Sequence, residues 1–282
     1  MLTRIYLLTF ILFVHHSASA SIDAHQACIN ISGKLASVTL DECLQRQLSV
    51  SGFHSHQQQP LLIKEYPPLL EKRAPQAKIL LLGGIHGDEY SSVTIMFKWM
   101  QILDQHHSGL FHWKVAPLVN PDGLLRKKSQ RMNANGVDLN RNFPNNGSLT
   151  DNLDYWEQRA YSDPRRYPGD QPASELETRW LIKLINEFKP DAIVSVHAPY
   201  GVVDFDGSPE PPQRLGPLYL NLLGTYPGSL GNYAALQQGI PVVTVELPYA
   251  GIMPPPQEVS RIWTDLVKWL VQHIPQQSLT AQ

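Results

Sequence analysis

The chain has 282 residues, 43% of them hydrophobic and 17% charged, which is enough apolar material for one large domain around a substantial buried core and excludes a mostly disordered chain. Its 23 Lys and Arg stand against 25 Asp and Glu, a formal charge of -2. No global basic field therefore draws it to nucleic acid or anionic lipid, and any anion recognition must be local.

Residues 1–20 read as an export signal, with Arg4 as the positive n-region, Ile5 to Val14 as the apolar h-region and Ala18-Ser19-Ala20 as a small-residue cleavage site. The mature chain is expected to begin near Ser21 and to reside in the periplasm or cell envelope. The apolar run falls short of the roughly 20 residues a spanning helix needs, so no stable membrane insertion of the mature chain is expected. Cys28 and Cys43 are the two cysteines of the chain. In an oxidising compartment they are expected to pair and to staple an N-terminal segment, residues 21–60, that ends in the polar stretch Ser51 to Pro60. Residues 61–282 form the main domain.

In that domain Lys78 to Gly83 is a continuous apolar run stopped by Gly83-Gly84, which predicts a strand buried on both faces. Ser91 to Leu103 carries Val93, Met96, Phe97 and Met100 at helical spacing. Trp113 to Asn120 reads as a second strand, placed near an edge or broken by Pro117. Ser174 and Glu177 make a capping-box pattern ahead of an amphipathic helix, Leu176 to Phe188, and Pro190 follows its end. Asp191 to His197 and Val242 to Leu247 are short β-branched runs, and a last helix, about Glu258 to Ile274, repeats Ile262, Leu266, Trp269 and Leu270 on one face. This alternation predicts an α/β fold with a mixed, largely parallel central sheet flanked by helices. Proline-rich loops, Pro199 to Pro217 and Pro254 to Pro256, lie beside two strand ends, where such folds build their sites.

The polar residues that punctuate these strands form a set. His86-Gly87-Asp88-Glu89 follows the first buried strand and opens a helix, so one imidazole and one carboxylate three residues apart face the same point. His197 ends a buried strand on the side where α/β sheets bind ligands. Together these residues offer the donors of a His₂Glu zinc site. Glu246 lies inside an apolar strand, where an unpaired carboxylate is too costly to be incidental. Between them come Asn120-Pro121-Asp122-Gly123 and the run from Arg131 to Pro144, whose Arg131, Asn140 and Arg141 suit a carboxylate and a polarised carbonyl.

This order of motifs, HxxE, NPDG, RxN…GVDxNRNF, a strand-ending His and a strand-borne Glu, resembles the zinc metallocarboxypeptidase family from Lys78 to Pro248. The resemblance implies one Zn²⁺ per chain held by His86, Glu89 and His197. It implies Glu246 as general base, Arg131 at the oxyanion, Asn140 and Arg141 on the substrate's terminal carboxylate, and Asp138 orienting His86. Within the family, the short Arg131 to Asp138 connection and the text from Gly224 to Ala234 look most like the bacterial murein peptide amidase A branch, whose members cut γ-D-glutamyl-meso-diaminopimelate bonds. The family's mobile tyrosine has no unambiguous match here; Tyr226 is the candidate and Tyr233 the alternative. Leu230 falls near the position where members that remove arginine or lysine carry an acid, which argues against a simple basic preference. The carboxylates of Asp204 and Asp206 are candidates to meet a diaminopimelate ammonium group.

Three other readings compete with a murein peptide hydrolase. One is a general metallocarboxypeptidase with apolar preference, and another an acylamino acid hydrolase of the succinylglutamate desuccinylase type, which the NPDG and NRNFP segments disfavour. A non-catalytic peptide-binding module is the third, and it would be expected to have lost a ligand or the strand glutamate. Arg126, Lys127 and Lys128 read as a solvated face.

Overall fold

The structure, a computed structural model, describes residues 23–145 and 150–274. The expected export signal lies outside the described residues. Two short helices, α1 (Ala24–Lys34) and α2 (Leu40–Gln45), open the described chain. Each begins on a side-chain cap, the Asp23 carboxylate and the Thr39 hydroxyl accepting the backbone N–H groups of Gln26 and Glu42. The disulfide Cys28–Cys43 ties the two together, and Cys28, Ile31 and Val38 pack into the same apolar core as the central strands.

The chain then forms β1 (Ser49–His54), β2 (Pro60–Tyr66), β3 (Ala77–Leu82), α3 (Tyr90–His106), β4 (Phe111–Ala116) and α4 (Pro121–Leu125). After these come α5 (Thr150–Gln158), α6 (Leu176–Phe188), β5 (Ala192–His197), β6 (Val202–Asp206), β7 (Arg214–Leu215), β8 (Leu218–Leu220), β9 (Val242–Glu246) and α7 (Pro256–His273). A π-helical segment, Gly231–Gln237, precedes β9. The strands make one nine-stranded sheet in the order β1-β2-β4-β3-β5-β9-β6-β8-β7. Its centre, β4-β3-β5-β9, is parallel throughout, and antiparallel pairs extend it on both sides.

The side chains of β3 show why its sequence is an unbroken apolar run. Ile79 and Leu81 enter one core with α3 and α7, whereas Leu80 and Leu82 enter the other with α6, and all four are fully buried. Successive residues of a strand point to opposite faces, so where a strand is covered on both, apolar side chains are favoured at every position. Burying each such side chain contributes roughly 1.5–3 kcal/mol. On the α3 and α7 face Trp99 and Trp113 both pack on Trp263, with ring centroids 5.4 and 5.2 Å away.

Four sequence expectations need correction. The second strand ends at Ala116, because Pro117 has no N–H to give a ladder, and β4 lies inside the sheet between β2 and β3. The polar stretch before Pro60 is a hairpin, β1 pairing antiparallel with β2; β1 is a largely exposed edge strand, so its sequence lacks a hydrophobic alternation. The Pro199 to Pro217 segment contains β6 and β7. Ser174 and Glu177 do not form a capping box: α6 starts at Glu175 with no side-chain cap, and Glu177 is buried, its carboxylate accepting from Asn133 Nδ2 at 3.3 Å.

Cys28 and Cys43 are themselves buried and close a loop of sequence separation 15. Loop closure of that size contributes about 3 kcal/mol. Cys43→Ser, purified without reductant, should lower the urea unfolding free energy by about 2–4 kcal/mol, and an unchanged midpoint would show that the bond does not contribute.

Candidate active site

The site lies at the carboxyl ends of the central parallel strands, where the backbone of an α/β sheet leaves a crevice. His86 follows β3, Glu89 is the residue from which α3 starts, and His197 and Glu246 are the last residues of β5 and β9, opposite each other in the ladder. Gly87 lets the first of these loops lie against the NPDG turn. A Cβ there would sit 2.3 Å from the Gly123 carbonyl carbon, so only glycine fits. The turn's other residues hold their neighbours: Asn120 Nδ2 donates to the Arg131 carbonyl at 3.0 Å, and Asp122 accepts from Ser55 Oγ at 2.5 Å and the Gln57 N–H at 3.0 Å, fastening the β1–β2 hairpin.

His86, Glu89 and His197 are buried and their donor atoms all lie within 4.8 Å of one another. Glu89 Oε1 is 2.7 Å from His86 Nδ1 and Oε2 is 3.1 Å from His197 Nδ1, while the two Nδ1 atoms are 3.1 Å apart. The outward nitrogens are engaged elsewhere. His86 Nε2 meets Asp138 Oδ1 at 3.1 Å, and His197 Nε2 meets Ser195 Oγ at 3.0 Å. Asp138 accepts only when ionised, so the His86 proton belongs on Nε2, and a guanidinium N–H from Arg131 reaches His86 Nδ1 at 3.1 Å. Burial pushes the Glu89 carboxyl up, but His86 and His197 hold it well below the usual carboxylate range. Two inward imidazole lone pairs and an ionised carboxylate are the donor set of a divalent zinc site with one position left open, and they fit the ion.

Asp138 is fully buried and orders three groups. Besides His86, its Oδ2 accepts from Arg131 Nε and Nη2, each at 2.9 Å, and its Oδ1 accepts from the Asn140 N–H at 3.0 Å. Burial works against its charge, yet Arg131 and His86 keep it strongly ionised. Held by two of its nitrogens, Arg131 aims Nη1 at the donor cluster, 3.6 Å from Glu89 Oε1. Glu246 is 6% exposed, accepts weakly from the Tyr200 N–H at 3.5 Å, and has its carboxyl pushed up by burial.

These residues line a cavity of about 400 Å³ that also contains Asn140, Arg141, Tyr226, Leu230, Asp204 and Asp206. Arg141 is 9% exposed. Its guanidinium stacks 4.5 Å above the Tyr226 ring and donates to the Asn140 carbonyl at 2.7 Å. It makes no ion pair among the described residues. Asn140 Oδ1 accepts from the Leu230 N–H at 2.8 Å, which leaves Nδ2 to donate. Tyr226 is thus the platform under Arg141, whereas Tyr233 is buried and stacked on Phe143. Asp204 accepts from the Leu223 N–H at 2.9 Å and Asp206 from Thr225 Oγ1 at 2.5 Å. Burial pushes both carboxyls up, and neither has a cationic partner among the described residues. Asp206 Oδ2 occupies the space a Cβ on residue 231 would need, 2.0 Å from its ideal position, so Gly231 admits that carboxylate beside Leu230.

Ser195, Arg165 and Arg166 are site residues that the sequence reading passed over. Ser195 had a signal, since it lies two residues before His197 and so on the same face of the strand. The two arginines line the cavity from a short turn, Pro164–Arg166, and nothing local marked them out. Arg126, Lys127 and Lys128 are exposed and lie outside the cavity lining, as expected of a solvated face.

The sequence profile of the zinc carboxypeptidase family, peptidase family M14, matches residues 44–203. Murein peptide amidase A of Escherichia coli K12 is 35% identical over 195 residues, spanning 64% of this chain and 76% of the relative. The counterpart from Vibrio campbellii is 32% identical over 176 residues, 60% of this chain and 68% of that one. The crystal structure of the murein-tripeptide amidase from Escherichia coli O157 superposes with a TM-score of 0.52 and 27% identity, covering 78% of this chain and 89% of its own. Carboxypeptidase A from Helicoverpa armigera shares the fold, with a TM-score of 0.60 at 16% identity over 85% of this chain and 69% of its own.

The donor set leads to a direct test. The purified protein should hold about one equivalent of zinc after mild dialysis, and His197→Ala should lose it. Full retention by that variant would remove His197 from the set.

Proposed function

The chain belongs to the zinc carboxypeptidase family, and from that premise we propose that this zinc-dependent hydrolase removes the C-terminal residue of murein peptides, cutting between γ-D-glutamate and meso-diaminopimelate. One observation carries the reading beyond the family. The cavity that holds the metal donors also holds a buried guanidinium, Arg141, and two carboxylates, Asp204 and Asp206, none of them ion-paired among the described residues. Unpaired charges in so enclosed a place call for a ligand that carries both opposite signs. A free terminal carboxylate answers Arg141 and Asn140 in a charge-assisted pair. An ammonium group further along the released side chain answers Asp206, which Gly231 admits to the pocket floor. Diaminopimelate has both groups, and the amidase relatives are named for murein peptides. The same carboxylates disfavour the apolar-trimming alternative.

Bound at His86, Glu89 and His197, zinc supplies Lewis-acid polarisation and lowers the pKa of water. The chain's own residues do the rest. Glu246, as carboxylate, takes a proton from the attacking water and passes it to the leaving amine. Arg131, fixed by Asp138, donates from Nη1 to the scissile carbonyl oxygen as negative charge grows there. Arg141, Asn140 and Asp206 fix the residue to be released. Export is part of the proposal: the N-terminal signal pattern and the Cys28–Cys43 disulfide both support an oxidising envelope compartment.

Glu246→Gln should keep zinc yet slow turnover by at least about 100-fold, the lower range for general acid-base catalysis. Burial raises the Glu246 carboxyl, so its base form is lost as pH falls through a value above the ordinary glutamate 4.3 or so. The acidic limb of kcat/KM should lie correspondingly high and vanish in the variant. Near wild-type turnover would end this assignment.

The substrate assignment is tested with L-alanyl-γ-D-glutamyl-meso-diaminopimelate against acyl-Phe and acyl-Arg peptides. Diaminopimelate should be released with little action on the others, and Asp206→Asn should cut kcat/KM about tenfold or more, the effect of one charge-assisted hydrogen bond. Efficient cleavage of acyl-Phe with none of the tripeptide would refute it.

A further inference from the structure

The turn Pro164–Arg166 presents two guanidinium groups to the cavity, and the catalytic account uses neither. The turn is built to be rigid. Pro164 sets its first residue, the Asp163 carboxylate accepts from the Arg165 N–H at 2.9 Å, and the Tyr167 carbonyl accepts from the Asp138 N–H at 2.8 Å. The arginines are thereby anchored to the residue that orders His86 and Arg131.

Their positions differ from that of Arg141. Arg141 is buried, whereas the side chains of Arg165 and Arg166 are 58% and 47% exposed. Arg165 Nη2 meets Asp88 Oδ2 at 2.9 Å, and Asp88 immediately precedes the metal donor Glu89, so Arg165 borders the donor cluster. Its Nε and Nη1 have no partner among the described residues. Arg166 has only a loose contact, Nε to Asp163 Oδ2 at 3.6 Å. Arg166 is also near enough to Arg141 to depress that group's proton affinity, after burial the main influences being Asp138 and Arg131.

We propose that Arg165 and Arg166 form a second anion clamp, which takes a carboxylate carried on the acyl side of the scissile amide. The assignment rests on the murein reading above and adds to it. Buried Arg141 receives the carboxylate of the released residue, so a group that meets the exposed arginines belongs to the part of the substrate nearer solvent. In a γ-linked glutamyl peptide the acyl residue keeps a free α-carboxylate, a short carbon chain away from the scissile carbonyl. An ordinary α-linked peptide has no carboxylate at that point. Two guanidinium groups on one rigid turn match such a carboxylate with several N–H donors. The clamp would make the enzyme selective for the isopeptide linkage itself, independently of the residue released.

The test compares L-alanyl-γ-D-glutamyl-meso-diaminopimelate with the same tripeptide bearing a carboxamide in place of the glutamyl α-carboxylate. For the full-length zinc-loaded enzyme, kcat/KM should favour the free acid by about tenfold or more, the range for a charge-assisted contact. In the double variant Arg165→Ala, Arg166→Ala that preference should collapse towards one. The readout is a ratio of two substrates measured on one sample, so a smaller folded fraction cancels. Equal cleavage of the two peptides by the unmodified enzyme, or an unchanged preference in the double variant, would overturn the clamp while leaving diaminopimelate release intact. Failure to release diaminopimelate from either peptide would overturn the murein reading and the clamp with it.

Discussion

Three buried donors face one another within 4.8 Å. His86 Nδ1 and His197 Nδ1 are 3.1 Å apart, and both contact the Glu89 carboxylate. Their direction is imposed from outside, by Asp138 on one imidazole and Ser195 on the other. Burial of such a set is costly unless a cation satisfies it, and a bound divalent ion turns that cost into a stabilising contribution. The same network also fixes Arg131 and Asn140, because Asp138 accepts from the Arg131 side chain and the Asn140 backbone as well as meeting His86. Removal of Asp138 would therefore disturb His86, Arg131 and Asn140 together.

The fold brings these parts together by register. In the parallel pair β5–β9 His197 and Glu246 are partners, so one ladder fixes the distance between a metal donor and the Glu246 carboxylate. The loop after β3 carries the other donors and lies backbone to backbone on the NPDG turn, which in turn holds the Arg131 carbonyl. On the far side β9 pairs with β6, which ends in Asp206. The sheet thus places an acid on one wall of the cavity and Arg141 on another. The charge pattern of the pocket is as much a product of strand order as the metal donors are.

Much of this was legible in the sequence. A strand buried on both faces disfavours ionisable side chains, so His197 and Glu246 stand out against Ala192–Val196 and Val242–Val245. Elements at the edges were not legible. In β1 the residues are largely exposed, and β7 and β8 are two and three residues long, too short to display a period. Glu177 was read as a capping residue because its spacing from Ser174 fits that pattern. Tertiary contacts instead bury it beside Asn133, and desolvation pushes its carboxyl up to about 7. Arg165 and Arg166 look no different in sequence from Arg126 to Lys128. Only the path of the chain brings one basic group to the cavity and leaves the other in solvent.

Both histidines are expected to present Nδ1 inward to the metal, with their protons on Nε2. Nitrogen-15 NMR of histidine-labelled, zinc-loaded protein tests it most directly, with single His86→Gln and His197→Gln variants to assign the signals. Two imidazoles should appear as Nε2–H tautomers with Nδ1 shifted by metal ligation. A zinc-loaded sample in which either residue carries its proton on Nδ1 would contradict the account.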